Sequence, residues 1–171
     1  MTIIINLYDF RQGIERLRNI INFVFAFLNL KIMRTDGPIL IAEDDPDDIE
    51  ILEHVFKRLQ VPNEIKFFHD GVSLFEYLKT TEELTFIIIV DINLPKMSGI
   101  ELKEKINEDD SLRRKSIPFV FLSTTQHPHA INKAYEMTVQ GFFTKENDFD
   151  AAVTMMKTVL DYWRICKHPQ L

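Results

Sequence analysis

A run of four aliphatic residues that ends at a carboxylate constrains the fold more than any other feature. Residues 87–90 read Ile-Ile-Ile-Val, and Asp91 follows directly, ahead of a loop that contains Pro95 and Gly99. Four apolar residues without alternation predict a strand that is covered on both faces, as in a parallel sheet between two layers of helices. Asp91 then lies at the carboxyl end of this strand, where open α/β sheets bind their ligands.

The rest of the chain alternates short apolar strands with helical patterns. Repeated strand-then-helix units imply a parallel sheet whose crossovers are right-handed helices. The predicted fold class is therefore α/β: a flavodoxin-like, doubly wound sheet of five parallel strands in the order 2-1-3-4-5, with five helices. The predicted strands are 39–42, 64–68, 87–90, 118–122 and 142–144.

Three details of the helical regions follow from the local sequence. Val72, Phe75 and Leu78 recur every three residues and predict the buried stripe of the second helix. Residues 107–115 are polar and predict a connection without regular structure. After the first strand, Asp45 is a good N-cap for the first helix.

With 171 residues, the chain is long enough for one domain and an extension. We expect an extension over residues 1–36, a domain over residues 37–165 and a short tail over residues 166–171. The apolar run at 20–30 spans eleven residues, whereas a membrane-spanning helix needs about 20. Two alternatives stay open: a segment upstream of Met33 that lies outside the domain, or an amphipathic helix that docks on this domain, a partner or a membrane surface.

The charge distribution argues against broad binding to nucleic acids. The net charge is −6, and because residues 1–36 carry +2, residues 37–171 carry −8. Affinity for phosphates in general comes from clustered Lys and Arg, which this acidic domain lacks. The single cysteine, Cys166, excludes an intramolecular disulfide and fits a reducing compartment, so we expect a cytoplasmic protein.

Polar side chains follow four of the predicted strands at their carboxyl ends. Glu43 and Asp44 follow the first strand, Asp91 the third, Ser123 the fourth and Lys145 the fifth. These ends form one edge of a doubly wound sheet, with a crevice where the strand order reverses. We therefore expect the three carboxylates to converge near the hydroxyl and the ammonium.

Converging carboxylates repel one another and have raised pKa values unless a cation compensates them. Mg²⁺ prefers carboxylate oxygens and often shares its site with a phosphate. A carboxylate beside Mg²⁺, a hydroxyl and an ammonium has what phosphoryl transfer requires, which makes Asp91 the candidate nucleophile.

Taken singly, Asp91 would be a turn residue, and Ser123 and Lys145 would be surface residues. Asp47 and Asp48 read as a solvated helix start, with Asp45 as the only site neighbour among these aspartates.

Four segments together resemble the receiver domain of two-component response regulators, of the stand-alone, CheY-like kind. The resemblance covers roughly residues 37–165. It implies that Asp91 accepts a phosphoryl group from a histidine kinase or a histidine phosphotransfer protein. The segments are EDDPDD at 43–48, DINLPKMSG at 91–99, FLSTT at 121–125 and GFFTK at 141–145.

The resemblance also implies a metal site. Asp44, Asp91 and the backbone carbonyl of Asn93 would bind Mg²⁺, with Glu43 nearby, through a water molecule. This set would make Mg²⁺ the cofactor. No other cofactor is implied.

The remaining roles also follow from the resemblance. Ser123 would hydrogen-bond a phosphoryl oxygen, Lys145 would pair with it, and Phe142 would be the aromatic switch residue that reorients with Ser123. Glu146 stands where the family usually has proline, which puts the cis peptide bond of many relatives in doubt here. Because Phe142 has no hydroxyl, switching through a tyrosine hydrogen bond is unavailable.

The short tail predicts a stand-alone receiver, monomeric or weakly dimeric, whose output is contact with an unknown downstream protein or onward phosphoryl transfer. Beyond its own phosphorylation and dephosphorylation, no enzymatic activity is expected.

One alternative is a degenerate receiver that acts only as a protein-binding module. Another is a phosphatase of the haloacid dehalogenase type, but there the nucleophile follows the first strand, and Asn93 cannot replace its second aspartate as a general acid. A flavin-binding protein is disfavoured because carboxylates after the first strand would repel a phosphate.

Overall fold

The computed structural model describes residues 34–125 and 127–167. The apolar run at 20–30 and most of the predicted extension lie outside these residues, so the domain boundaries at 36 and 165 stay predictions. Within the described ranges, no helix is both long and apolar enough to cross a membrane.

The centre of the fold is a five-stranded parallel sheet in the order β2-β1-β3-β4-β5. This order confirms the predicted fold class. From β1 the chain crosses to β2 on one side and then to β3 on the other, so the carboxyl ends of β1 and β3 are neighbours. The strands are β1 (Ile39–Ala42), β2 (Ile65–Phe68), β3 (Ile87–Val90), β4 (Phe119–Ser123) and β5 (Gly141–Thr144).

The described residues form six α-helices, one more than the sequence predicts; five lie between strands and the last follows β5. The additional helix, α4, lies in the stretch predicted as an irregular connection. Its start is capped by Asp109, whose Oδ1 accepts hydrogen bonds from the backbone N–H groups of Ser111 at 2.9 Å and Leu112 at 3.1 Å. Leu112 is buried, which anchors this short helix. The helices are α1 (Pro46–Leu59), α2 (Gly71–Thr80), α3 (Gly99–Glu108), α4 (Asp110–Lys115), α5 (Pro128–Glu136) and α6 (Phe149–Ile165), and a 3₁₀ turn (Arg34–Asp36) precedes β1.

The central strands are buried on both faces. In β1, Ile39 and Ile41 belong to the apolar cluster under α1 and α6, whereas Leu40 and Ala42 belong to the cluster under α2 to α5. The residues 87–90 of β3 divide between the two clusters in the same way. Unbroken aliphatic runs are therefore the correct pattern for these strands, because each face packs on helices.

The predicted stripe of α2 is confirmed at Leu78, which is buried, and in part at Phe75, which packs against the core, but it was wrong at Val72. The helix buries Gly71, Leu74 and Leu78, while Val72 is 36% exposed. A Cβ at Gly71 would lie only 2.3 Å from the carbonyl oxygen of Met97, so the backbone of α2 is in close contact with the loop after β3. This contact turns Gly71 inward, and Leu74 and Leu78, three and seven positions later, share its face.

Candidate functional site

Asp91 is held at the carboxyl end of β3 by the backbone around it. Its N–H donates to the carbonyl oxygen of Ala42 at 2.9 Å, and its Oδ1 accepts a hydrogen bond from the N–H of Ile92 at 2.6 Å. The residue is only 7% exposed. One carboxylate oxygen is thus fixed by the main chain, which leaves Oδ2 to face the neighbouring strands.

Gly99 closes the loop that follows Asp91. Its N–H donates to the carbonyl oxygen of Ile92 at 2.9 Å. A Cβ at Gly99 would lie 2.4 Å from the carbonyl oxygen of Asp91 and 2.9 Å from the ring of Phe121. The loop can approach the strand end this closely because residue 99 has no side chain.

We expect Gly99→Ala to lower the free energy of unfolding by about 1–3 kcal/mol, because the backbone at Asp91 and the ring of Phe121 must both move to admit one methyl group. Urea denaturation of the full chain measures the change. Glu108→Ala, at the exposed end of the same helix, is the control and is expected to stay within about 0.5 kcal/mol of wild type. Equal stability of the two variants would show that the loop adapts to a side chain at residue 99.

A single ammonium group joins carboxylates from three elements. Lys145 follows β5, and its Nζ lies 2.7 Å from Glu43 Oε2, 2.6 Å from Asp48 Oδ2 and 3.2 Å from Asp91 Oδ2. The side chains of Lys145 and Glu43 are 12% and 2% exposed. Lys145 is positioned by its backbone N–H, which donates to the carbonyl oxygen of Ser123 at 3.0 Å. Strand order therefore brings together groups that are far apart in the sequence.

The electrostatics of this cluster favour an additional cation. Burial raises the pKa of Glu43 above its ordinary value, even though Lys145 opposes the shift. Burial by itself lowers the pKa of Lys145, but hydrogen bonds to Asp48 and Glu43 and the charge of Asp91 outweigh it, so this pKa is raised. With all groups ionised, three carboxylates and one ammonium leave a net charge of −2. One divalent cation would neutralise that charge.

The structure places the predicted metal-binding residues in two environments. Glu43 and Asp91 are buried in the cluster, whereas Asp44 and Asn93 are exposed. Among the described residues, no three acidic, histidine or cysteine side chains are arranged to hold a metal ion. The ammonium of Lys145 already contacts the buried carboxylates. The donor chemistry fits Mg²⁺, and the predicted ligand set stays a prediction.

The predicted hydroxyl and aromatic residues lie on the neighbouring strands. Ser123 ends β4 and is fully buried, and its Oγ accepts a hydrogen bond from the N–H of Thr125 at 3.4 Å. Among the described residues, no acceptor takes up the hydroxyl hydrogen, which can therefore be donated. Phe142 lies in β5, partly buried, with its ring centroid 6.1 Å from that of Phe121. The described residues contain no cis peptide bond.

Sequence reasoning missed Asp48. This residue was predicted to be part of a solvated helix start, but it pairs with Lys145. Asp45, the predicted site neighbour, caps α1 by accepting the N–H of Asp47 at 2.9 Å, and its own N–H donates to Glu43 Oε1 at 3.3 Å. A signal was present, because Asp48 precedes the buried Leu52 by four residues and so shares its face of the helix. The first turn of α1 starts at the edge where the cluster lies.

Comparison with known proteins gives a match to a family model along most of the chain. Residues 39–157 match the model described as the response regulator receiver domain. The response regulator Rcp1 of Synechocystis sp. is 27% identical over 130 residues, which cover 73% of this chain and 87% of Rcp1.

Solved structures agree with the sequence comparisons. The phosphorylated cyanobacterial phytochrome response regulator RcpA superposes with a TM-score of 0.69 at 28% identity, over 78% of this chain and 98% of RcpA. The Mn²⁺-bound form of the response regulator Rcp1 gives a TM-score of 0.68 at 25% identity, over 78% of this chain and 99% of that structure.

Proposed function

Because the chain belongs to the response regulator receiver domain family, we propose that it is a single-domain response regulator that accepts a phosphoryl group on Asp91. The donor would be the phosphohistidine of a histidine kinase or of a histidine phosphotransfer protein. The family consists of signalling proteins that work by phosphorylation. The observation that carries the proposal is the contact between Lys145 Nζ and Asp91 Oδ2, 3.2 Å, at the carboxyl edge of the sheet.

In the proposed reaction, a carboxylate oxygen of Asp91 attacks the phosphorus atom. A P–O bond forms, the P–N bond to the donor histidine breaks, and the leaving nitrogen takes up the electron pair. Oδ2 is the better candidate oxygen, since Oδ1 accepts a hydrogen bond from the N–H of Ile92 at 2.6 Å, whereas the contact of Oδ2 with Lys145 Nζ is longer, at 3.2 Å. Lys145 would pair with a phosphoryl oxygen, and the Ser123 hydroxyl would donate a hydrogen bond to another.

Mg²⁺ would be held by Asp44, Asp91 and the backbone carbonyl of Asn93, with Glu43 nearby through a water molecule. When bound, it would supply positive charge for the phosphoryl oxygens. The net charge of −2 around Lys145 supports a divalent cation here. The Mn²⁺-bound structure of Rcp1 supports the same class of ion.

Output would pass through a change in the surface near β5. The phosphoryl group adds negative charge and three acceptor oxygens next to Ser123, whose reorientation would accompany that of Phe142. Phe142 is partly buried against Phe121, so a change of its position would alter the adjoining surface. Another protein in the cytoplasm would bind that surface. The receiver would act as a monomer or weak homodimer and would not bind nucleic acid.

A receiver that binds partners without being phosphorylated is the second candidate. The ammonium of Lys145 favours it, because its pairing with Glu43, Asp48 and Asp91 already compensates part of their charge. Both candidates use the same fold, and they differ in whether Asp91 reacts.

The experiment is intact-mass spectrometry of the full chain after incubation with acetyl phosphate. With Mg²⁺, we expect a gain of about 80 Da, the mass of one phosphoryl group. With excess EDTA in place of Mg²⁺, we expect no gain. An unchanged mass in both samples would reject the phosphoacceptor proposal and favour the binding module, and an equal gain in both would reject the metal requirement.

A further inference from the structure

A cavity lies at the opposite edge of the sheet from Asp91. It opens at the amino ends of β3 and β4, bounded by α3, α4 and the end of α6, and has a volume of about 360 Å³. This volume is within the range of sites for small organic molecules. None of the residues of the proposed phosphorylation site lines it, so a ligand could bind here whether or not Asp91 is phosphorylated.

Lys103 is the unusual residue of this cavity. It is 6% exposed and lies on α3, with its ammonium 5.1 Å from the ring centroid of Phe119. Within residues 34–125 and 127–167, neither an ion pair nor a hydrogen bond joins this ammonium to an oxygen. Nearby Lys115, in contrast, donates to the carbonyl oxygens of Leu78 at 3.1 Å and Thr81 at 3.2 Å. Burial of an ammonium without an oxygen partner costs folding free energy, because the charge loses its hydration. For the same reason, burial lowers the pKa of Lys103.

Other polar side chains around the cavity are already paired. Gln140 accepts the N–H of Phe119 at 2.8 Å and donates to the carbonyl oxygen of Thr138 at 2.9 Å. Asn107 donates to the carbonyl oxygen of Met137 at 3.0 Å. These bonds fix the walls, so the cavity is formed without a ligand.

The cations at the rim differ from Lys103 as well. Arg113 pairs with Asp110 at 2.6 Å, and Lys167 is exposed. Lys103 is therefore the buried cation that the described part of the chain leaves for a ligand. Between the polar groups, the walls are apolar, with Leu112 and Phe119 among them.

We propose that this cavity binds a small organic carboxylate, whose oxygens pair with the Lys103 ammonium while its apolar body packs against Leu112 and Phe119. One buried ammonium supplies one positive charge, which matches a monoanion and would leave part of a phosphate dianion uncompensated. The apolar walls select a ligand with a hydrocarbon or aromatic body over a small hydrated anion.

Trp163 lines the cavity and is the only tryptophan of the chain, so its indole N–H is a single, assignable NMR signal. We expect benzoate to shift this signal saturably in the full-length protein. Benzyl alcohol, a neutral molecule of similar shape, should bind at least about tenfold more weakly, since it cannot form the charged hydrogen bond. Equal affinities for the two probes, or no saturable shift with benzoate, would overturn the proposal.

Substitution of the cation gives a second readout. We expect Lys103→Met to bind benzoate about ten- to a hundredfold more weakly than the wild type and to keep its affinity for benzyl alcohol, so that the preference for benzoate is lost. Lys105→Met is the matched control, because Lys105 is an exposed lysine of the same helix outside the cavity, and it should bind benzoate like the wild type. Wild-type affinity for benzoate in Lys103→Met would reject the role of Lys103. If that variant does not fold, the comparison of the two probes on the wild type decides the question.

Discussion

The Asp91→Asn protein will gain no mass from acetyl phosphate and Mg²⁺ under conditions in which the wild type gains about 80 Da. An amide oxygen is a much weaker nucleophile than a carboxylate oxygen, and it carries no charge with which to bind a metal ion. The substitution keeps the shape of the side chain and its acceptor for the N–H of Ile92, which is 2.6 Å away in the wild type. We therefore expect a folded protein that cannot accept the phosphoryl group.

Asp47→Asn is the matched control for this measurement. Asp47 is an exposed aspartate in the first turn of α1, close in sequence to the cluster and without an ion pair to Lys145 among the described residues. This variant should gain the phosphoryl group as the wild type does. A full mass gain in Asp91→Asn would place the acceptor at another residue, and peptide mapping of the product would then locate it.

Lys145→Met is expected to lower the free energy of unfolding by about 3–5 kcal/mol, the usual cost of removing one partner from a buried ion pair. The substitution leaves three carboxylates together without their cation. Most of the cost comes from Glu43 and Asp91, whose side chains are 2% and 9% exposed, because Asp48 is 29% exposed and water screens its charge. Urea denaturation in the presence of EDTA measures the change without a contribution from metal ions.

An exposed ion pair provides the control. Lys133 lies 3.1 Å from Glu104, with side chains 44% and 42% exposed, so Lys133→Met should cost at most about 1 kcal/mol. Adding Glu43→Gln to Lys145→Met should restore part of the lost stability, since no buried charge then remains at residue 43. If Lys145→Met costs no more than Lys133→Met, the cluster does not depend on Lys145 for its stability.

The strands and the main residues of the candidate site were predictable because strand patterning and strand ends depend on local sequence, and the strand order was predicted from the doubly wound arrangement that repeated strand-then-helix units favour. Unbroken aliphatic runs such as residues 87–90 indicate strands with two covered faces, and the polar residue after each run lies at the same edge of a parallel sheet. Glu43 and Asp91 meet at Lys145, whereas Asp44, the other carboxylate predicted to converge there, is exposed and Asp48 pairs with Lys145 instead.

The helices were less predictable because their phase depends on contacts with distant residues. The approach of Gly71 to the carbonyl oxygen of Met97 rotates α2 so that Leu74 is buried and Val72 is exposed. The start of α4 depends on one capping side chain, Asp109, within a stretch whose composition is that of a loop.

By itself, the sequence determined the α/β fold, the edge of the sheet at which the candidate site lies and the residue types that meet there, because strand patterning and strand ends are local properties. Only the tertiary structure decided which charges are paired. Asp48 and Lys145 are 97 positions apart and in contact, whereas Lys103 is buried without a carboxylate in the described part of the chain. Pairing depends on distances of a few ångströms between elements, and sequence spacing does not encode those distances.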